Sequence, residues 1–388
     1  MRLFSPDKKA RFISRPNRFL VIAESPPDGG GPPERLPCHC PNPGRLTECL
    51  FPGTELLLEK RTGGREAAKT LWTAAALRHK GNIVPLFASR ANRAAEELVL
   101  PEVIPGLREI HREFSLGASR FDFLCIGRKG ERHLLEVKAC SLVEYGTAMF
   151  PDAPSARALK HLEELAALSG EGYACHVLFV IMHGNPSVFI PNLHTDPAFA
   201  SALGRYCAGE EPAVKARAAL LRCGEDGLAE LAAPSVPVDL SRGALAARDA
   251  GNYLVLLELA GPRRIEIGAL GTFGFKKGWY VYSGSAGKNL SARISRHLRK
   301  EGKKKHWHID YLTPYAAGIK ALPIMSCRNL ECELAGELER LGGEPLKGFG
   351  SSDCRCAGHL FYFPAPPLSD RAFTDTLFRY RHIEGFRK

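Results

Sequence analysis

The sequence contains no apolar run approaching the roughly 20 residues that a transmembrane helix needs, so no membrane partner is expected. Its opening residues, MRLFSPDKKARF, lack the apolar core of a secretory signal, and a soluble cytoplasmic protein is the expectation. None of the twelve cysteines forms a Cys-x-x-Cys pair. In a cytosolic chain such scattered cysteines read as reduced thiols, which argues against a disulfide framework. No internal repeat is visible, so the chain is not a repeat array. No RNA-binding motif is visible either, which leaves an RNA-processing enzyme supported by charge alone.

What is present suffices for more than one core. The chain has 388 residues, 45% hydrophobic and 24% charged, an ordinary globular balance that points to two or three domains. The charge is unevenly spread. From Ser241 to the end there are 24 Lys and Arg against 14 Asp and Glu, a net of +10 out of +11 for the whole chain. The first 240 residues therefore hold 29 basic against 28 acidic residues, a net of +1. A basic C-terminal module suggests a polyanion, with DNA as the expected partner, because each neutralised phosphate releases counterions.

Three regions separate by composition. Residues 1–105 show short strand-like runs (Arg18–Glu24, Arg35–Pro41, Glu55–Arg61, Leu71–Leu86) broken by Pro/Gly clusters such as Pro26–Pro33, the pattern of a small β-barrel. Residues 106–232 alternate strands and helices. FDFLCIG and HLLEVKA flank the turn Arg128–Glu131, a hairpin signal. APSARALKHLEELAALSG reads as a helix, and ACHVLFVIM as a strand buried on both faces. Ala232–Leu240, with two prolines, is the best linker candidate. Residues 241–388 restart the pattern with NYLVLLEL, WYVYSG and a basic helix over Asn289–Lys300.

The second region carries an acidic constellation. Glu136 and Lys138 are two apart on one strand, so they project from the same face, and the hairpin can bring Asp122 opposite them. Two close carboxylates bind a hard divalent cation, and a neighbouring lysine can position water or neutralise phosphate charge. Glu113 could add a carboxylate from a preceding helix. On the next helix Arg157, Lys160, His161 and Glu164 share one face, suited either to solvent or to phosphate grip. Here CHCPNPGRL, SRFDFL, LLEVKACSL, FPDAPSARALKHLEEL and IPNLHTDPAFASAL resemble the sugar fermentation stimulation protein A (SfsA) family over residues 9–215. The resemblance implies an OB-like N-terminal barrel, a PD-(D/E)XK nuclease-like α/β domain, and Glu113, Asp122, Glu136 and Lys138 as its metal-dependent catalytic site. Two departures are visible: Phe121 precedes Asp122 where proline is usual, and CPNPGRL stands where Asn-Thr-Gly is usual. The family was named for DNA-binding regulation of sugar metabolism, so the fold does not by itself specify cutting.

In the third region Gly251-Asn252-Tyr253 opens one strand and Tyr282-Ser283-Gly284 closes another. Arg293 and His297 follow at helical i, i+4 spacing, and Glu331 and Glu333 begin a later helix. This ordered set, with WYVYSGSA, RISRHLRK, HWHIDYL, ECELA and GFGSSDCRCAGHLFYF, resembles an uncharacterised family of the GIY-YIG nuclease superfamily over residues 250–363. The resemblance implies catalytic roles for Tyr253, Tyr282, Arg293, His297 and Glu331: a tyrosine serving the nucleophile, an arginine on the phosphate and a glutamate on a metal. A tyrosine of ordinary pKa near 10 is a poor base unless its surroundings lower that value. Glu331 is preferred to Glu333 as the ligand. Lys288, Arg296, Arg299, Lys300 and Lys303 are expected to line a DNA path, along with Arg157, Lys160 and His161. Cys354, Cys356 and His359, with His306 and His308 nearby, have poor zinc spacing, and Asp353 and His359 are expected to border the active site instead.

The expectation is therefore a three-part α/β and β protein with Mg2+ or Mn2+ as cofactor and no small-molecule cofactor. Its expected function is a divalent-metal-dependent DNA endonuclease or repair and processing factor. The alternative is a non-catalytic DNA-binding transcriptional regulator of sugar metabolism that keeps the folds.

Overall fold

The computed structural model describes residues 1–26, 32–61, 70–104, 106–117 and 119–386. Residues 27–31 of the Pro26–Pro33 cluster, and residue 105 at the first expected boundary, lie outside them. Two compact units, Met1–Gly243 and Ala244–Lys388, divide the chain.

The first unit opens with β1 (Lys8–Asn17), β2 (Leu20–Ser25), β3 (Glu34–His39), β4 (Glu55–Lys60), β5 (Trp72–His79) and β6 (Asn82–Pro85). They pair in the order β3-β2-β1-β4-β5-β6, and a parallel β3–β5 pairing closes five of them into an OB-like barrel. Alternate residues such as Val21, Ala23, Leu56 and Leu58 fill its interior, as period-two patterning requires. The run read as one strand over Leu71–Leu86 is a hairpin turned at Lys80-Gly81, where both residues adopt positive φ.

A helical segment over 88–103, including α1 (Ala91–Ala94) and α2 (Leu100–Val103), leads into a mixed sheet. The sheet is built from β7 (Glu109–Leu116), β8 (Ser119–Ile126), β9 (Arg132–Cys140), β12 (Ala174–Ile181), β14 (Val214–Cys223) and β15 (Ala229–Ala233), in the order β15-β14-β12-β9-β8-β7. Its smaller companion comprises β10 (Leu142–Glu144), β11 (Thr147–Phe150) and β13 (Val188–Pro191). Strand β12 lies between two parallel neighbours, which is why ACHVLFVIM is apolar at nearly every position. Ala91, Ala94, Val99 and Leu100 cover one face of the sheet. Helices α3 (Ala156–Leu168) and α4 (Pro197–Cys207) cover the other. Ser155 caps α3 by accepting from the Ala158 amide at 3.2 Å. The expected linker is not a free tether: the Val236 amide bonds to the Ala218 carbonyl and the Phe189 amide to the Pro237 carbonyl, each at 2.8 Å. Its prolines suit an edge pairing, and the break between units falls later, within α5 (Gly243–Ala246).

The second unit is an antiparallel sheet in the order β20-β16-β19-β22-β21. Its elements are β16 (Gly251–Leu259), a ribbon of β17 (Arg263–Glu266) and β18 (Thr272–Phe275), β19 (Gly278–Ala286), α6 (Leu290–Leu298), α7 (Ile309–Leu312), β20 (Gly318–Met325), α8 (Glu331–Arg340), β21 (Glu344–Pro345), β22 (Leu360–Phe363) and α9 (Arg371–His382). Leu254, Leu256 and Val281 face α8 and α9. Strand alternation therefore turns Tyr253 and Tyr282 to the opposite face, beside α6.

Candidate functional site

The β8–β9 ladder runs from Ile126↔Arg132 to Phe123↔Leu135. The next residues in that register are Asp122 and Glu136, and there the ladder opens. The Val137 amide donates to Asp122 Oδ2 at 2.7 Å, and Asn92 Nδ2 donates to Asp122 Oδ1 at 2.6 Å. Glu136 is buried, with Oε1 2.6 Å from Lys138 Nζ and 2.5 Å from His161 Nδ1. Its second oxygen, Oε2, is buried without a hydrogen-bond partner. Burial, then the neighbouring Glu136 charge, raise the Asp122 carboxyl above its ordinary range, and the bonds from Val137 and Asn92 do not cancel this.

Asp122, Glu136, Lys138 and Arg157 line a cavity of about 480 Å³, closed on another side by Asn42, Gly44 and Asp152. The CPNPGRL loop is held by Arg15, which donates to the carbonyls of Asn42, Gly44 and Arg45 at 2.6–2.9 Å. A Cβ at position 44 would overlap the Asp152 carboxylate, so any larger residue there would have to displace that side chain.

Not every expected residue joins this cavity. Glu113 lies on strand β7 rather than a helix. The β7–β8 register sets it opposite Asp122, but its backbone is left-handed (φ 50°) and its carboxylate pairs with exposed Arg120 at 2.9 Å. Glu96 and Glu97 of the helical segment, with Glu113 and Asp122, line a neighbouring pocket. His161 is buried against Glu136 and is no phosphate contact, because α3 turns that face to the sheet. Lys160 is exposed and pairs with Glu164 at 3.5 Å.

In the second unit Tyr253, Tyr282, Ser285, Arg293, Trp307 and Glu331 line one pocket of about 340 Å³. Gly284 sits opposite Tyr253 on β19, where a Cβ would overlap the tyrosine ring. The Tyr253 hydroxyl is 3.0 Å from His297 Nε2. Arg293 donates to the Ser285 carbonyl at 2.6 Å and lies over the Trp307 ring. Glu331 accepts from Ser285 Oγ at 2.5 Å and lies 2.9 Å from His359 Nδ1. Burial would raise Glu331, but the hydrogen bonds from His359 and Ser285, with Arg293 nearby, hold it below the usual carboxylate range. Glu333 points away and pairs with Arg328 at 2.8 Å. Burial pushes both tyrosines up, Arg293 only partly offsetting it, and lowers His297 to about 4. The surroundings thus do not supply the lowered pKa that Tyr253 would need to act as a base.

The basic run is less exposed than its sequence suggests. The Lys303 side chain is buried, its Nζ 3.1 Å from the fully buried Asp310 carboxylate, and Arg296 donates to the same group at 2.7 Å. Both serve as internal counterions to Asp310, so neither is a free phosphate contact. Lys288, Arg299 and Lys300 are exposed, with Lys300 Nζ donating to the Ala316 carbonyl at 2.6 Å. Asn92, Ser285, Asp310 and Cys332 were missed as site residues. Asp310 lies in the quoted HWHIDYL and Ser285 in WYVYSGSA, whereas Asn92, thirty residues before Asp122, carries no motif. No helix among the described residues is long and apolar enough to cross a membrane.

Comparison with known proteins divides the chain into three matches. Residues 13–86 match the SfsA N-terminal OB domain, and 89–218 the sugar fermentation stimulation protein RE domain. Residues 252–380 match a domain of unknown function, DUF123. A sugar fermentation stimulation protein homolog from Pyrobaculum neutrophilum is 37% identical over 204 residues, 52% of this chain and 83% of that protein. Another from Pyrobaculum arsenaticum is 37% identical over 240 residues, 62% of this chain and 97% of that one. A solved structure described as Pyrococcus furiosus SfsA in complex with Ca2+ is 28% identical, with a TM-score of 0.51, and covers 62% of this chain and 99% of its own.

Proposed function

The chain belongs to the sugar fermentation stimulation protein family, extended by a DUF123 domain, and from that premise we propose that it is a DNA-binding protein that hydrolyses phosphodiester bonds with a divalent cation, Mg2+ or Mn2+. The carrying observation is the partnerless, buried Glu136 Oε2 beside Asp122 at the wall of one cavity. Two carboxylates at that wall fit a hard, oxygen-seeking ion. That a relative of like fold is described with Ca2+ supports the same reading. When bound, the cation supplies charge to a phosphoryl oxygen and makes water more acidic.

The chain's own residues do the rest. The Val137 amide and Asn92 fix the Asp122 carboxylate, while His161 and Lys138 fix Glu136. Lys138 stands where charge grows on the phosphate as the bond breaks, and Arg157, on the same cavity wall, meets an adjoining phosphate. In the second unit, read as GIY-YIG-like, Arg293 holds a phosphate bidentately and Glu331 faces it across the pocket. Tyr253 stays neutral there and orients water through its hydroxyl rather than removing a proton.

Incubation of the purified protein with duplex, single-stranded and branched DNA, each with Mg2+ or Mn2+, tests this. Cleavage of at least one form, abolished by EDTA, is expected. No cleavage of any form, with binding intact, would leave a DNA-binding regulator and remove the nuclease reading.

A further inference from the structure

Four cysteines belong to the second unit, and three of them meet at one point. Cys332 comes from the first turn of α8, Cys354 and Cys356 from the loop before β22, and His359 from the residue that leads into that strand. Their ligand atoms all lie within 4.8 Å of one another. His359 Nε2 is 3.4 Å from Cys354 Sγ and 3.9 Å from Cys332 Sγ. A tetrahedral zinc ion, with bonds of about 2.3 Å to sulfur and 2.0 Å to nitrogen, sets its ligand atoms roughly 3.5–3.8 Å apart. A modest contraction of the cluster therefore closes such a shell.

We propose that Cys332, Cys354, Cys356 and His359 form a structural Zn2+ site of three thiolates and one imidazole. The poor Cys-x-Cys spacing argued against zinc in the sequence. Folding supplies the missing donor from Cys332, twenty-two residues before Cys354. The histidine is already oriented for the task. Its backbone is anchored on both sides, with its amide donating to the Phe349 carbonyl at 2.7 Å and its carbonyl accepting from Ser283 at 2.9 Å. Nδ1 faces the Glu331 carboxylate at 2.9 Å, leaving Nε2 turned toward the sulfurs. A carboxylate behind a ligating imidazole fixes its tautomer and strengthens it as a donor. Four donors close a structural site, so this ion has no open position for substrate.

The consequence lies next door. Cys332 adjoins Glu331 and Cys354 adjoins Asp353, and both acidic residues line the pocket of the second unit. The ion would tie the N-terminus of α8 to the 351–358 loop and hold that pocket wall in one arrangement. The site is distinct from the hard-cation site of the first unit, and its test does not depend on cleavage.

The full chain, purified under reducing conditions from zinc-supplemented medium, should carry about one zinc by elemental analysis. Cobalt exchanged for that zinc should show tetrahedral visible bands and thiolate-to-cobalt charge transfer. Cys332→Ser and Cys354→Ser should each lose the zinc, while Cys327→Ser, outside the cluster, should keep it. The cobalt spectrum of wild-type protein decides the matter even if a variant fails to fold. Zinc-free protein with no cobalt spectrum, a disulfide among the three cysteines, or full zinc retained in Cys332→Ser would each overturn the assignment.

Discussion

A buried carboxylate oxygen without a partner is costly, and Glu136 Oε2 is one. A bound cation would remove that cost, so Mn2+ should raise the thermal midpoint of the wild-type protein, and calorimetric titration should detect its binding. Glu136→Gln keeps the shape but removes the charge, and should weaken Mn2+ binding at least tenfold, about 1.4 kcal/mol. Unchanged affinity would place the cation elsewhere. Arg293→Ala addresses the other pocket. If that unit cuts, loss of a preorganised cation at the developing charge should slow cleavage by ~10²–10³ while DNA binding falls only modestly. A variant that cuts as wild type would relegate Arg293 to holding Ser285 and Trp307. At this scale strand parity made Glu136 and Lys138 legible as a pair. Helical periodicity grouped His161 with Arg157 and Lys160 but could not say which of them meets the sheet, so a buried partner of Glu136 passed for a phosphate contact. Cys332 was hidden because its partners lie beyond the reach of any local spacing rule.

Elements and loops tell a similar story. Hairpin β8–β9, the capped helix α3 and the buried strand β12 were readable because turn chemistry, cap residues and apolar continuity are local signals. Strand β7 was not, because its residues alternate charge with few apolar side chains and it pairs on only one edge. The linker reading failed because prolines mark an edge pairing as readily as a tether. The loop between β3 and β4 allows a pH test. Burial and the neighbouring Asp152 charge push Glu48 up to about 8 from an ordinary 4.5. A folded-state value above the unfolded one means the native state binds that proton more tightly, so stability falls as pH rises from 4.5 through about 8. Glu48→Gln removes that penalty. Its thermal midpoint should match wild type near about pH 5 and exceed it near about pH 9 by scanning calorimetry. A variant less stable at both pH values would show that Glu48 is not held neutral.

At the scale of the whole molecule the uneven charge is the clearest feature of the sequence, with +10 of the net +11 lying after residue 240. Some of it is spent internally on Asp310, yet Lys288, Arg299 and Lys300 remain at the surface. Expressed separately at the Gly243/Ala244 division, the second unit should hold most of the DNA affinity and lose it steeply with salt. Equal affinities for the two halves, or a flat salt response, would count against it. Three modules could be counted from composition and motif, whereas the meeting of the 40–45 loop with strand β9 depends on packing that no local pattern encodes. The central claim is that Asp122 and Glu136 hold the cation for phosphodiester hydrolysis. Its most direct test is the Mn2+-dependent cleavage rate of the 388-residue chain carrying Asp122→Asn, which keeps an acceptor for the Val137 amide. That rate should fall by ~10²–10³ or more, with DNA affinity nearly unchanged; cleavage at the wild-type rate would contradict the claim and assign the cutting to another site.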